Sequence, residues 1–130
     1  MATRTRFVLF VSDVALLRQA FALVLERRTG LRTLQVDSLD GERWLPANID
    51  GDIALAVVSV DTADGPDTGL IGHLHGLGLP VLAFGLEEST DHLARALEAG
   101  ADEAISLGVP VSQFVGKATQ LATPALQQPS

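Results

Sequence analysis

The sequence contains no cysteine. That absence excludes disulfides, thiol catalysis and cysteine-ligated metals, and it fits the reducing cytoplasm expected for this chain. Lysine is nearly absent too: Lys117 is the single one, so chemistry that needs an ammonium group has one candidate. No apolar stretch approaches the ~20 residues that span a bilayer, and no membrane association is expected. The start, M-A-T-R-T-R, has basic residues but no long apolar core followed by a small-residue cleavage site, so no signal peptide is expected. The phosphate loop G-x-x-x-x-G-K-[ST] is missing, as are S-x-x-K and G-x-S-x-G, and the glycines of G-H-L-H-G-L-G do not follow a strand in the G-x-G-x-x-G pattern. Nucleotide binding and hydrolase chemistry are therefore unsupported, and no enzymatic activity is expected. Basic residues are outnumbered, nine Lys and Arg against sixteen Asp and Glu, for a formal charge of −7. An acidic domain repels phosphate backbones, so direct nucleic-acid binding is not expected either.

What is present suits one compact domain: 130 residues, 47% of them hydrophobic, enough to bury a core without staples. The stretch Ile53–Asp61 (I-A-L-A-V-V-S-V-D) organises the rest. Its short apolar run, rich in valine and bounded by turn residues, predicts a strand buried on both faces. Phe7–Val11 and Pro80–Phe84 read the same way, Leu31–Val36 alternates as a partly exposed edge strand would, and Glu103–Ser106 is a last short strand. Between them, helical spacing predicts a helix to about Arg28, with Val14, Leu17, Phe21, Val24 and Leu25 on its apolar stripe and Arg18, Glu26 and Arg27 off it. Ser12 and Asp13 are its expected cap and Gly30 its stop. Further helices are expected as a short or irregular one within Asp37–Ile49, then over Asp67–Leu77, from a cap at Ser89, Thr90 or Asp91 to Ala99, and over Val111–Leu121.

Five strands alternating with five helices predict a parallel sheet covered on both faces, a three-layer α/β/α sandwich. The domain is expected to span 1–123, with 124–130 a tail or the start of an interdomain linker. In such sheets chemistry sits just beyond the carboxyl ends of the strands, which directs attention to Ser59 and Asp61.

Two stretches, V-L-F-V-S-D-V-A-L-L-R-Q-A-F and D-H-L-A-R-A-L-E-A-G-A-D-E-A-I-S-L, resemble the response-regulator receiver domain of bacterial two-component signalling, a likeness running from Arg6 to Leu121. The resemblance implies a flavodoxin-like (βα)5 fold with strand order 2-1-3-4-5. It also implies a phosphorylation pocket, and here the residues depart from it. Receivers place two acidic residues after the first strand to hold Mg²⁺; this chain has Ser12 and Asp13. They place the phosphoryl-accepting aspartate at the end of the third strand; that position is Ser59. The hydroxyl residue after the fourth strand is replaced by Gly85, and the lysine after the fifth by Leu107. Phosphoryl transfer needs a nucleophilic carboxylate, a metal held by hard oxygens and a cation for the transferred group. Only Asp13 survives of that set, so no cofactor is expected. A register two residues later would make Asp61 the acceptor, but the departures at Gly85 and Leu107 would remain.

Other candidates have simpler readings. Asp13 with Asp61, Asp64 and Asp67 is a weak cation candidate, against a bland reading as a cap and turn residues. His73 and His75 point to different sides of a helix and cannot share a metal; His92 reads as structural. Leu107 to Pro110 with Phe84 either fill the old pocket as core or line a small apolar ligand site. Leu93, Ala96, Val111, Phe114, Val115 and Ala118 belong to the face through which receivers commonly dimerise. The expectation is an atypical, phosphorylation-independent receiver, homodimeric and regulating a DNA-binding output domain outside this chain. The alternatives are a small-molecule-sensing pseudo-receiver and a receiver still phosphorylated on Asp61.

Overall fold

The computed structural model describes residues 7–12, 14–36, 53–61, 68–86, 89–106 and 110–127. The helix expected within Asp37–Ile49 lies outside them, as do Asp13, Asp64, Asp67 and Leu107. In chain order the elements are β1 (Phe7–Val11), α1 (Ala15–Thr29), β2 (Arg32–Val36), β3 (Ile53–Ser59), α2 (Thr68–Gly76), β4 (Val81–Gly85), α3 (Thr90–Ala99), β5 (Glu103–Ser106) and α4 (Val111–Gln127). The five strands form one parallel sheet in the order β2-β1-β3-β4-β5, the order expected. β2 lies at one edge, which explains its alternating, half-exposed residues.

The continuous apolar runs of the central strands follow from burial on both faces. Side chains alternate between two cores. Val8, Phe10, Leu55, Val57, Leu82 and Phe84 point to the side covered by α1 and α4, where Leu25, Phe114, Val115 and Ala118 meet them. Leu9, Val11, Ala56, Val58, Val81 and Ala83 point to the side covered by α2 and α3, where Leu70, Ile71, Leu74 and Ala96 meet them. The first core is aromatic. Phe21 and Phe114 meet edge-to-face with centroids 4.8 Å apart, and Phe10 and Phe84 lie 5.4 Å apart. Phe84 is thus part of this core; Leu107, Gly108 and Val109, which the apolar-site reading grouped with it, lie outside the described residues.

Three boundaries differ from expectation. First, α1 begins at Ala15 with Val14 at the cap position and no side-chain cap bond. The Ser12 hydroxyl instead accepts from the Val14 N–H at 3.2 Å, a local turn that serine favours over reaching into the helix. Gly30 ends α1 as expected, in the left-handed conformation (φ 74°) that glycine adopts without penalty. Second, α4 continues through Gln127, so 124–127 is helix where composition predicts a tail or linker. Alanine, leucine and glutamine there are good helix formers and carry the helix past Pro124. Third, β3 closes at Ser59, leaving Asp61 two residues beyond the strand.

Candidate functional site

Among the described residues, three polar side chains are buried: Ser12, Ser59 and Ser89. All three lie at the carboxyl edge of the sheet. Ser12 follows β1, Ser59 ends β3, and Ser89 closes the connection from β4 to α3. The register brings the first two side by side, because Val11 pairs with Val58 one residue earlier on each strand. Ser59 pairs in turn with Phe84, and Gly85 with Ser106. A buried hydroxyl is tolerated when it is hydrogen-bonded. Ser12 and Ser59 solve this identically: each oxygen accepts the amide N–H two residues on, from Val14 and from Asp61, both at 3.2 Å.

Among the described residues, Asp61 is the carboxylate at this edge. The Val60 N–H donates to the Phe84 carbonyl at 2.9 Å, prolonging the β3–β4 ladder past Ser59 and holding Asp61 over the end of β4. Its carboxylate then binds the β4–α3 connection twice. Oδ2 accepts from the Leu86 N–H at 2.8 Å, and Oδ1 accepts from the Ser89 hydroxyl. Such charge-assisted bonds are about twice as strong as neutral ones. Gly85 makes the approach possible. A Cβ there would lie 2.6 Å from Val60 Cγ2, 3.2 Å from Ser89 Cβ and 3.3 Å from Asp61 Oδ2, so the hydroxyl residue implied at this position by the receiver resemblance does not fit beside this arrangement.

Arg18 borders the same edge. Its Nη1 donates to the Ser12 carbonyl at 2.6 Å, and its Nε is buried with no partner among the described residues. Hydropathy spacing places Arg18 off the apolar stripe of α1; its half-burial against Ser12 is what that spacing missed. Glu26, also off the stripe, accepts from the Thr33 N–H at 3.0 Å and ties α1 to β2.

The other sequence candidates separate from this edge. Lys117 pairs with Glu103 at 3.6 Å, both side chains about four-tenths exposed, a solvated surface pair. His73 and His75 are exposed on α2, and no group of three metal-ligating side chains occurs among the described residues. Of the dimer-face candidates, Ala96, Phe114, Val115 and Ala118 are buried in the two cores and leave no surface for a partner. This corrects their assignment to that face: helical spacing marks a stripe as apolar, and the sheet takes it first. Leu93 packs partly against the α2–α3 core, while Val111 and the neighbouring Leu97 are about half exposed. No described helix is long and apolar enough to cross a membrane.

No protein-family model and no curated protein matches the sequence. The fold does match solved structures. A CheY-like response-regulator receiver domain protein from Methanospirillum hungatei superposes with a TM-score of 0.73 at 21% identity, over 95% of this chain and 98% of that one. The non-phosphorylated HemR receiver domain from Leptospira biflexa gives 0.74 at 20% identity, over 97% and 99%. The beryllofluoride-activated NtrC4 receiver domain dimer gives 0.71 at 19% identity, over 91% and 97%. At these identities the likeness is one of fold: the chain has the fold of response-regulator receiver domains along nearly its whole length.

Proposed function

We propose that the chain is a regulatory module of signal transduction, a receiver-like domain that works without being phosphorylated. The observation that supports this best is the edge itself. Ser59 stands at the end of β3, its oxygen accepting the Asp61 amide, and the nearest carboxylate beyond it already accepts bonds from Leu86 and Ser89. A serine there would form a phosphoester and would need a base to deprotonate it. Asp61 is occupied as an acceptor on both oxygens, and Leu107 in the sequence brings no cation to the edge. Incubation with a small phosphodonor and Mg²⁺ followed by intact-mass measurement tests the reading. An unchanged mass is expected; a gain of one phosphoryl group, lost on mild base treatment, refutes it. A second reading, phosphorylation on Asp61, is favoured by one fact: Asp61 is the carboxylate the described residues place at this edge. The same experiment with Asp61→Asn separates the two, because only that reading predicts a gain that the substitution abolishes.

In this proposal the module is homodimeric and regulates a DNA-binding output domain carried on the same polypeptide. The exposed Leu97 on α3 and Val111 on α4 supply its dimer contact. Sedimentation of the chain and of Leu97→Glu tests this: a dimer that the substitution disperses is expected, and a monomer at all concentrations contradicts it.

A further inference from the structure

The helices α1 and α4 cover the same face of the sheet, and a groove of about 550 Å³ lies between them, a volume within the range of small-molecule sites. Val24 and Arg28 line it from α1; Val111, Val115, Gly116 and Thr119 line it from α4. Along α4 it therefore spans eight residues, ~12 Å at the helical rise. Both helices start from the carboxyl edge, because α1 follows β1 and α4 follows β5 in a parallel sheet. Arg28 is in the last turn of α1 and Val111 in the first of α4, so they mark opposite ends of the groove.

The lining has two parts. Val115 is buried and Val24 partly so, which gives an apolar floor, while Val111 stands half exposed at one end. Arg28, at the other end, is the one charged residue in the lining. It is exposed and makes no hydrogen bond or ion pair among the described residues. The carbonyl end of α1 favours a cation there, but that leaves the guanidinium donors to an outside acceptor.

Gly116 is a separate observation. It lies in the interior of α4, where glycine weakens a helix relative to alanine. The fold does not require it: a Cβ would meet nothing within 4 Å, and its φ is not positive. A side chain at this position would stand over the groove that Gly116 lines, so glycine keeps the groove open.

We propose that the α1–α4 groove binds a small amphipathic carboxylate, its head on Arg28 and its apolar body laid over Val24, Val115 and Gly116 toward Val111. One guanidinium matches the single charge of a carboxylate in a bidentate pair, whereas a phosphate ester carries roughly two. No group of the carboxyl edge takes part, so the site stands apart from the phosphorylation reading. Val111 also serves the proposed dimer contact, and the variants below leave it intact.

Amide NMR spectra of the intact chain titrated with octanoate test the site, with octanol as the uncharged probe of equal tail. Saturable shifts at Val24, Val115, Gly116 and Thr119 are expected with octanoate, and binding of octanol should be at least about tenfold weaker, the contribution of one charge-assisted hydrogen bond. Arg28→Gln should weaken octanoate by a similar factor and leave octanol unchanged, which a merely structural role for Arg28 would not do. Gly116→Leu, which the fold accommodates, should abolish the shifts. Gly116→Ala should raise resistance to denaturation while weakening octanoate several-fold, and serves if the leucine variant loses its fold. Absence of saturable shifts at millimolar octanoate, shifts centred outside the groove, a response that octanol matches, or binding that survives both Arg28→Gln and the Gly116 variants overturns the proposal.

Discussion

The body of the sheet and its carboxyl edge obey different rules. In the body, Val8 to Val11, Leu55 to Val58 and Val81 to Phe84 are apolar, buried on both faces and divided between two cores by simple alternation. Each residue there is interchangeable in kind, if not in size, with another apolar residue. At the edge the buried groups turn polar: Ser12 and Ser59 at the ends of β1 and β3, then Ser89 four residues past β4, with Asp61 binding the last of them. Burial at the edge depends on hydrogen bonds between specified atoms, not on volume. The difference teaches that the receiver fold rests on apolar volume in the body of the sheet, while its carboxyl edge rests on the particular polar groups this sequence places there.

Substitutions in the two regions should therefore fail differently. The largest effect is expected in the aromatic core. Phe114→Ala removes a fully buried ring from contact with Phe21 and Phe84 and should cost about 3–5 kcal/mol in chemical denaturation. A loss near 1 kcal/mol would mean that this core is looser than its contacts suggest. Next comes Gly85→Ala. The added carbon meets the buried Val60 side chain at 2.6 Å, with Ser89 and Asp61 close behind, and the overlap should cost about 1–3 kcal/mol. A neutral result would show that β3 and β4 can part at their ends, and the contrast between rigid body and specified edge would weaken. The smallest effect belongs to Lys117→Ala. Its pair with Glu103 is solvated on both sides, so the loss should stay below about 1 kcal/mol and shrink further with added salt.

Much of this was legible in the sequence for physical reasons. Short apolar runs flanked by turns read as buried strands if helices cover both faces; the alternation of the two pointed to a parallel sheet, and the receiver resemblance implied the strand order that the sheet has. Gly30 marked the end of α1 correctly. The edge was legible only as a list of residue types: Ser12, Ser59, Asp61 and Gly85 could be placed at strand ends, but not connected. The bond from Ser89 to Asp61 joins residues 28 apart, and no local period reports such a pair. Ser89, Thr90 and Asp91 read alike as possible helix caps; Ser89 takes the cap position without a cap bond, and its hydroxyl donates to Asp61. Arg18 was similarly hidden, since its fold back onto the Ser12 carbonyl depends on the turn that follows β1. An apolar helical stripe does not say whether a sheet or a second molecule covers it: Ala96, Phe114, Val115 and Ala118 go to the cores, while Leu97 and Val111 stay exposed.

In the proposed function the carboxyl edge is satisfied from within and does not answer to a phosphoryl group. Backbone amide spectra of the chain titrated with Mg²⁺ and beryllofluoride test it most directly, read at Asp61, Leu86 and Ser89. Unmoved resonances at all three are predicted; saturable shifts at these positions, absent when Mg²⁺ or beryllofluoride is added alone, would contradict it.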